Sequence, residues 1–118
     1  MKVTVDYHDV CSYAEAQLPE GHRREIYCAK IWGYLFRNAV ALGLVFYCPH
    51  CKQRCGRCRC AQLGSNLEGA WVYHIESAYN RQWYLDVASL LKADTSVLPK
   101  SRERTEAVYF IRHIGSRR

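Results

Sequence analysis

The segment that decides the expected fold is rich in cysteine, and it reads Cys48-Pro49-His50-Cys51-Lys52-Gln53-Arg54-Cys55-Gly56-Arg57-Cys58-Arg59-Cys60. Two cysteines separated by two residues can direct both sulfur atoms at one ion, and a proline or glycine in the turn helps backbone amides face the thiolates. Two such pairs occur here, Cys48 with Cys51 and Cys55 with Cys58. The spacing therefore predicts one zinc ion bound within residues 48–60.

The complete ligand set is left open by the short distance between the two pairs. Only Lys52-Gln53-Arg54 separate them, whereas two pairs that share one zinc ion usually enclose about ten residues or more. Cys60 is therefore an alternative to Cys55 or Cys58, and Cys48 and Cys51 are the strongest candidates. The part from Cys48 to Lys52 resembles half of a zinc ribbon, a pattern too common to indicate a function.

The predicted zinc site is structural and not catalytic. An all-thiolate site is closed, whereas catalytic zinc keeps an open position beside a general base. No acidic residue occurs between Phe46 and Asn66. The spacing of Cys51, Cys55 and Cys58 also matches that by which radical enzymes hold a four-iron cluster, so an iron–sulfur cluster is the less favoured alternative.

Composition favours one globular domain over residues 1–118. The chain is 49% hydrophobic and 24% charged, which is typical of a folded protein. Seven cysteines with no apolar leader favour reduced thiols in the cytoplasm, and the uncharged run at 39–49 is too short to cross a membrane. The formal net charge is +6, or about +4 with four zinc-bound thiolates, and favours DNA, RNA or an acidic protein surface as partner. The oligomeric state is left open.

The pattern of apolar residues predicts an α+β fold. It comprises a small, mainly antiparallel sheet of four or five strands, one long helix, one shorter helix and the inserted zinc-binding loop. The predicted strands lie at 2–7, 44–47, 70–76 and 107–114. The long helix covers 22–42 and stops at Gly43, and the shorter one covers 80–92, although Trp83, Leu85 and Val87 would also share one face of a strand. Residues 94–106 are expected to form an exposed loop.

Basic residues suggest a nucleic-acid interface in two places. The long helix has an apolar stripe made of Cys28, Trp32, Leu35, Ala39 and Leu42. Its other side carries alternating cationic and aromatic residues, namely Arg23, Tyr27, Lys30, Tyr34 and Arg37. The cysteine segment adds Lys52, Arg54, Arg57 and Arg59. Both sets could contact phosphates and unpaired bases. Alternatively, the helix stripe is a solvated side whose tyrosines cover part of the core, and the loop cations offset thiolate charge.

Three functions are compatible with these patterns. The first is a zinc-stapled regulatory module that binds nucleic acid. The second is a protein-binding regulator or inhibitor from a mobile element that targets a nucleic-acid-processing machine, since aromatic residues and arginine dominate binding hot spots. The third is a small basic ribonuclease with His74 and His113 as acid and base. Nothing in the sequence requires those histidines to meet, and His8, Asp9 and Cys11 are expected in a surface turn, so an enzyme is the least favoured class.

Overall fold

Within the described residues, the fold is α+β, as predicted, and is built around a three-stranded antiparallel sheet. The computed structural model describes residues 2–19, 23–48, 52–54, 57 and 82–117. In chain order the elements are β1 (Lys2–Asp6), α1 (Tyr7–Gln17), α2 (Arg24–Arg37), α3 (Ala39–Leu42), β2 (Phe46–Tyr47), β3 (Gln82–Asp86), α4 (Val87–Lys92), a 3₁₀ helix (Thr95–Val97) and α5 (Arg102–Ser116).

Strand β3 lies in the centre of the sheet, between β1 and β2. Val5 is paired with Trp83, and Phe46 with Leu85. All four of these side chains are buried, so they define the face of the sheet that packs on the core. Because side chains alternate along a strand, the residues between them, such as Tyr84, lie on the opposite face.

Helix α2 crosses the core face of the sheet and is buried on two sides. Trp32 makes an edge-to-face contact with Phe46, and Phe36 makes another with Trp83, with ring centroids 6.0 and 6.4 Å apart. On its other side, the Tyr27 hydroxyl donates to the carboxylate of Glu106 in α5. The helix therefore lies between the sheet and α5, which explains why every residue from 31 to 36 is buried.

Local signals fix the starts of the helices that follow the strands. The Asp6 carboxylate accepts a hydrogen bond from the Asp9 amide, and the Asp9 carboxylate accepts one from the Asp6 amide, which is a reciprocal capping box. Asp86 accepts from the amides of Ala88 and Ser89 at the start of α4. Strands β1 and β3 thus each end in the residue that caps the next helix.

The prediction for the long helix is confirmed in its centre and refined at its ends. Cys28, Trp32, Leu35 and Leu42 are all 1% exposed, as the predicted apolar stripe requires. The helix is divided at Asn38, whose side chain donates to the Tyr34 carbonyl. Gly43 has a φ of 70° and ends α3, in agreement with its predicted role as a helix C-cap.

Two predictions for the C-terminal part are wrong. Residues 107–114 lie in helix α5 and not in a strand, because Ala107, Phe110, Ile111 and Ile114 recur at helical spacing and form its buried stripe. Within the predicted helix at 80–92, residues Gln82–Asp86 form strand β3, which agrees with the alternation of Trp83 and Leu85. The expected loop at 94–106 contains the 3₁₀ helix and the start of α5.

Other predictions lie partly beyond this description. The strand predicted at 70–76 and most of the zinc-binding loop fall outside the described residues. The strand predicted at 44–47 is present as Phe46–Tyr47. In the part of the chain that the structure describes, no helix is long and apolar enough to cross a membrane.

Candidate metal-binding hairpin and nucleic-acid interface

A tight hairpin follows β2 and begins at the first candidate metal ligand. The Cys48 amide donates to the Gln53 carbonyl at 3.0 Å, and the Lys52 amide donates to the Cys48 carbonyl at 2.9 Å. Beyond these bonds, Tyr47 and Arg54 form an antiparallel bridge. Residues 52–54 therefore return alongside β2 in the antiparallel direction.

The backbone conformation of Lys52 is unusual for a residue other than glycine. Its φ is 61°, in the left-handed region, where a residue with a Cβ costs about 1–2 kcal/mol. Lys52 immediately follows Cys51 in the sequence, so the strained position directly follows the predicted second ligand. Strain at such a position persists only where the surrounding hydrogen bonds determine the backbone.

The structure describes one of the five predicted ligands. Cys48 is fully buried and lies at the base of the hairpin, whereas Cys51, Cys55, Cys58 and Cys60 fall outside the described residues. Among the residues that are described, no group of three or more potential ligands is close enough to hold a metal ion. The zinc site and the choice between zinc and iron therefore stay predictions.

The other two described cysteines form a separate pair between α1 and α2. Burial, followed by a hydrogen bond with Cys11, raises the pKa of the Cys28 thiol to about 12. A metal ligand or a nucleophile must be a thiolate, so Cys28 is poorly suited to either role. His8, Asp9 and Cys11 lie in helix α1 and not in the expected surface turn.

The cations of the cysteine segment point outward where the structure describes them. Lys52, Arg54 and Arg57 are exposed, and Arg59 is outside the described residues. The Lys52 ammonium lies 5.1 Å from the ring centroid of Tyr84 on the sheet. The hairpin therefore holds cations beside the face of the sheet that is turned away from the core.

The basic and aromatic stripe on α2 is divided between two environments. Arg23, Lys30 and Arg37 are exposed, as expected for a binding surface. Tyr34 is only 6% exposed and its hydroxyl donates to the Pro99 carbonyl at 3.4 Å. Tyr27 is half-buried and bonded to Glu106. In this arrangement the two tyrosines join α2 to the C-terminal region, so they correspond to the alternative in which the tyrosines cover the core.

The structure adds a second aromatic surface that the sequence interpretation missed. Tyr47 and Tyr84 are direct neighbours on β2 and β3, and the Lys2 ammonium lies 4.0 Å from the Tyr47 ring centroid. The available signal was the alternation of Trp83 and Leu85, which places Tyr84 on the opposite face once this segment is taken as a strand.

A groove between α4 and α5 provides an independent surface of mixed chemistry. Its volume is about 450 Å³, and its lining includes Leu91, Val108, Ile111 and Arg112. Leu91 is 54% exposed. An adjoining groove of about 430 Å³ is lined by Lys100, Arg104 and Arg112, among others. Apolar contact area and positive charge therefore lie side by side along α5.

Of the two histidines proposed for a ribonuclease, only His113 lies within the described residues. His113 is exposed on α5, with its ring centroid 5.2 Å from that of Tyr13. His74 falls outside the described residues. The described histidine thus has an aromatic neighbour in a helix packing contact.

Comparisons with protein-family models, curated proteins and solved structures find no match for this chain.

Proposed function

We propose that the chain is a small regulatory module that binds nucleic acid through a hairpin stapled by a structural zinc ion. The observation that carries this proposal is the hairpin at Cys48, which starts from a buried cysteine and displays Lys52, Arg54 and Arg57 to solvent. A closed hairpin keeps exposed cations in a fixed arrangement and reduces the entropy lost when they contact phosphates.

The proposed metal ligands are Cys48, Cys51 and two of Cys55, Cys58 and Cys60. Burial of Cys48 and the close return of the chain at Lys52 fit a pair of thiolates held by one turn. Four thiolates would make a closed site whose role is to stabilise the loop. We place the protein in the cytoplasm, where the thiols of Cys11 and Cys28 would stay reduced.

Elemental analysis of untagged protein tests the metal assignment. About one zinc per chain without a visible absorption band is expected for a tetrahedral thiolate site. Iron with sulfide and a brown colour would instead assign an iron–sulfur cluster. A folded chain with no metal would contradict the staple. Cobalt substitution provides a second readout, because a four-thiolate site gives intense visible absorption that Cys48→Ser should weaken.

Binding to nucleic acid is tested by charge reversal on the hairpin. Arg54→Glu combined with Arg57→Glu should weaken binding of a labelled oligonucleotide about tenfold or more, because both substitutions replace attraction with repulsion. The slope of log K against log salt concentration should fall by about 1.4 for a single strand if two phosphate contacts are lost. Arg102→Glu is the control, since Arg102 is also an exposed arginine but belongs to α5.

Two results would overturn this function. One is a parent protein that binds neither single-stranded nor double-stranded oligonucleotides at low salt. The other is a double reversal that binds as tightly as the Arg102→Glu control. The retained circular-dichroism spectrum and metal content of each variant ensure that affinity, not folding, is compared.

The groove between α4 and α5 favours a second candidate, a regulator that binds protein. Leu91 and Ile111 offer apolar contact, and Arg112 offers charge, so the groove suits an acidic segment with apolar side chains. A partner that is captured after nuclease treatment, and is lost with Leu91→Asp, would favour this candidate. A partner that is lost on nuclease treatment alone would favour the first.

A further inference from the structure

The outer face of the sheet carries a continuous row of four paired side chains. Thr4 is paired with Tyr84, Tyr84 with Tyr47, and Tyr47 with Arg54. Residues directly opposite each other on neighbouring strands project to the same face, with Cβ atoms about 4.5–5.5 Å apart. The two tyrosines therefore occupy directly paired positions in the middle of the face, and the Arg54 position lies next to that of Tyr47.

Each of the two rings has an ammonium group over its face. The Lys2 ammonium is 4.0 Å from the Tyr47 centroid, and the Lys52 ammonium is 5.1 Å from the Tyr84 centroid. Both lysines are exposed and both tyrosines are half-buried. The face thus combines aromatic surface with positive charge at its centre.

The carboxylates on this face are engaged at the ends of the strands. Asp6 accepts a hydrogen bond from the Asp9 amide at 3.0 Å. Asp86, paired with Lys2, accepts from the Ala88 amide at 2.9 Å. Both acids cap helices, and neither belongs to the row that contains the tyrosines. Within the described part of this face, the row itself bears no negative charge.

We propose that this face is a stacking platform for unpaired bases, so that the ligand of the protein is single-stranded nucleic acid. The inference rests on the proposed function and names its substrate class. Tyrosine alone is common on a strand, but two tyrosines at paired positions, each with a cation over its ring, provide both of the contacts that a single strand needs. Bases stack on the rings, and Lys2, Lys52 and Arg54 contact phosphates. A duplex hides its base faces and cannot use the rings.

The test compares variants of the two tyrosines that keep a large side chain and differ in whether it is aromatic. Tyr84→Leu and Tyr47→Leu keep large apolar side chains in the strands but remove the aromatic face, whereas Tyr84→Phe keeps it. The matched control is Tyr109→Leu, because Tyr109 is 51% exposed and lies on α5. The probes are dye-labelled single-stranded RNA and DNA of about 12 nucleotides, together with the matching duplexes. Fluorescence anisotropy with the full chain measures affinity.

Each leucine variant should weaken single-strand binding about fivefold or more, since one base–aromatic contact contributes about 1–3 kcal/mol. Tyr84→Phe and Tyr109→Leu should stay within about twofold of the parent, and the parent should bind the duplex less tightly than the single strand. The salt dependence should not change with the leucine variants, because no phosphate contact is lost.

A measurement on the unmodified protein avoids any effect of the substitutions on folding. Ultraviolet crosslinking to RNA that contains 5-iodouridine should label the peptides that carry Tyr47 or Tyr84. Labelling elsewhere only would overturn the platform even if a leucine variant failed to fold.

The failure of this inference can be told apart from the failure of the proposed function. If both leucine variants bind like the parent while the Arg54 and Arg57 reversal weakens binding, the platform is wrong and the nucleic-acid function stands. Duplex binding as tight as single-strand binding would also refute the platform. If the parent binds no nucleic acid at all, both fall together.

Discussion

Replacement of Tyr27 by phenylalanine should weaken the attachment of α5 to α2 without removing any contact surface. The substitution deletes only the hydroxyl that donates to the Glu106 carboxylate. Burial, followed by the hydrogen bond to Glu106, raises the pKa of Tyr27 far above its usual value, so the hydroxyl stays protonated and donates throughout the physiological range.

The size of the effect follows from the environment of the two groups. A hydrogen bond to a charged group contributes about 1.5–3 kcal/mol. Both residues are half-buried, so water can partly replace the lost donor at Glu106, and the lower end of that range applies. We therefore expect Tyr27→Phe to reduce the free energy of unfolding by about 1.5 kcal/mol, which corresponds to a fall in Tm of about 5 °C for a chain of this size.

Urea denaturation of a double-mutant cycle provides the assay. The cycle comprises the parent, Tyr27→Phe, Glu106→Ala and the double variant, and its coupling free energy should be about 1 kcal/mol in favour of the pair. Tyr109→Phe is the control, since its ring is half exposed on α5 and loss of its hydroxyl should change stability by less than about 0.5 kcal/mol. A coupling near zero would refute the assignment of this bond as a link between the helices.

A further variant, Tyr27→Leu, separates a structural role of Tyr27 from the binding role considered for it. If Tyr27 stacked on bases, Tyr27→Leu would lower nucleic-acid affinity at unchanged stability. The packing of Tyr27 against α5 predicts the reverse. The free energy of unfolding should fall, and the affinity for nucleic acid should not change at a temperature where the variant remains folded.

Three further predictions concern α5, the buried thiol and the hairpin. Ser101→Ala should lower the free energy of unfolding by about 1 kcal/mol in urea denaturation, because the Ser101 hydroxyl caps α5 at the Arg104 amide, while Ser101→Asp should retain the cap. Equal stability of the alanine variant and the parent would contradict the capping role. The folded pKa of Cys28, about 12, lies above its unfolded value near 9. The contribution of this thiol to the free energy of unfolding is therefore fully present below about pH 9 and is lost as the pH rises further. The free energy of unfolding of the parent should fall by about 0.8 kcal/mol more than that of Cys28→Ala between about pH 8 and 9.5. Parallel stability curves for the two proteins would contradict the buried thiol. Lys52→Gly should stabilise the hairpin by about 0.5–1 kcal/mol in thermal melts, since relief of the left-handed strain exceeds the entropy that glycine loses on folding, whereas Lys52→Ala should not; destabilisation by glycine would refute this.

The sequence predicted the elements whose local signals agree with their packing. The alternation of Val3 and Val5 predicted β1, and the stripe from Cys28 to Leu42 predicted the buried side of α2. Gly43 correctly marked the end of the helical region. In each case one residue pattern supports one structure.

The errors occurred where composition and periodicity disagreed. Residues 107–114 are rich in β-branched and aromatic side chains, but the spacing of Ala107, Phe110 and Ile114 is helical, and the Ser101 cap supports a helix. Packing of this stripe against α1 and α2 outweighed strand propensity. Helix α1 was not predicted, although Asp6 and Asp9 have the spacing of a capping box.

The candidate site illustrates a different limit of sequence patterns. Tyr34 is buried because α2 is covered by the sheet on one side and by the C-terminal region on the other. A helical pattern shows which residues share a side, but it does not show how many neighbouring layers cover the helix. Tyr47 and Tyr84 are paired although they lie 37 positions apart in the sequence. No local pattern encodes that register.

The hairpin continues directly from strand β2 of the sheet, so the proposed metal ligand Cys48 adjoins the proposed platform. Cys48 directly follows Tyr47, and Arg54 returns to pair with that same tyrosine. A metal bound at Cys48 would therefore restrain the backbone on which one ring of the platform stands and would position Lys52 beside the other ring. Since Tyr84 is held by both β1 and β2, its position depends less on the hairpin than that of Tyr47. Loss of metal should consequently affect base contacts at Tyr47 before those at Tyr84. A chelator should thus reduce crosslinking of single-stranded RNA at Tyr47 more than at Tyr84, and equal loss at both positions would mean that metal removal unfolds the sheet as a whole.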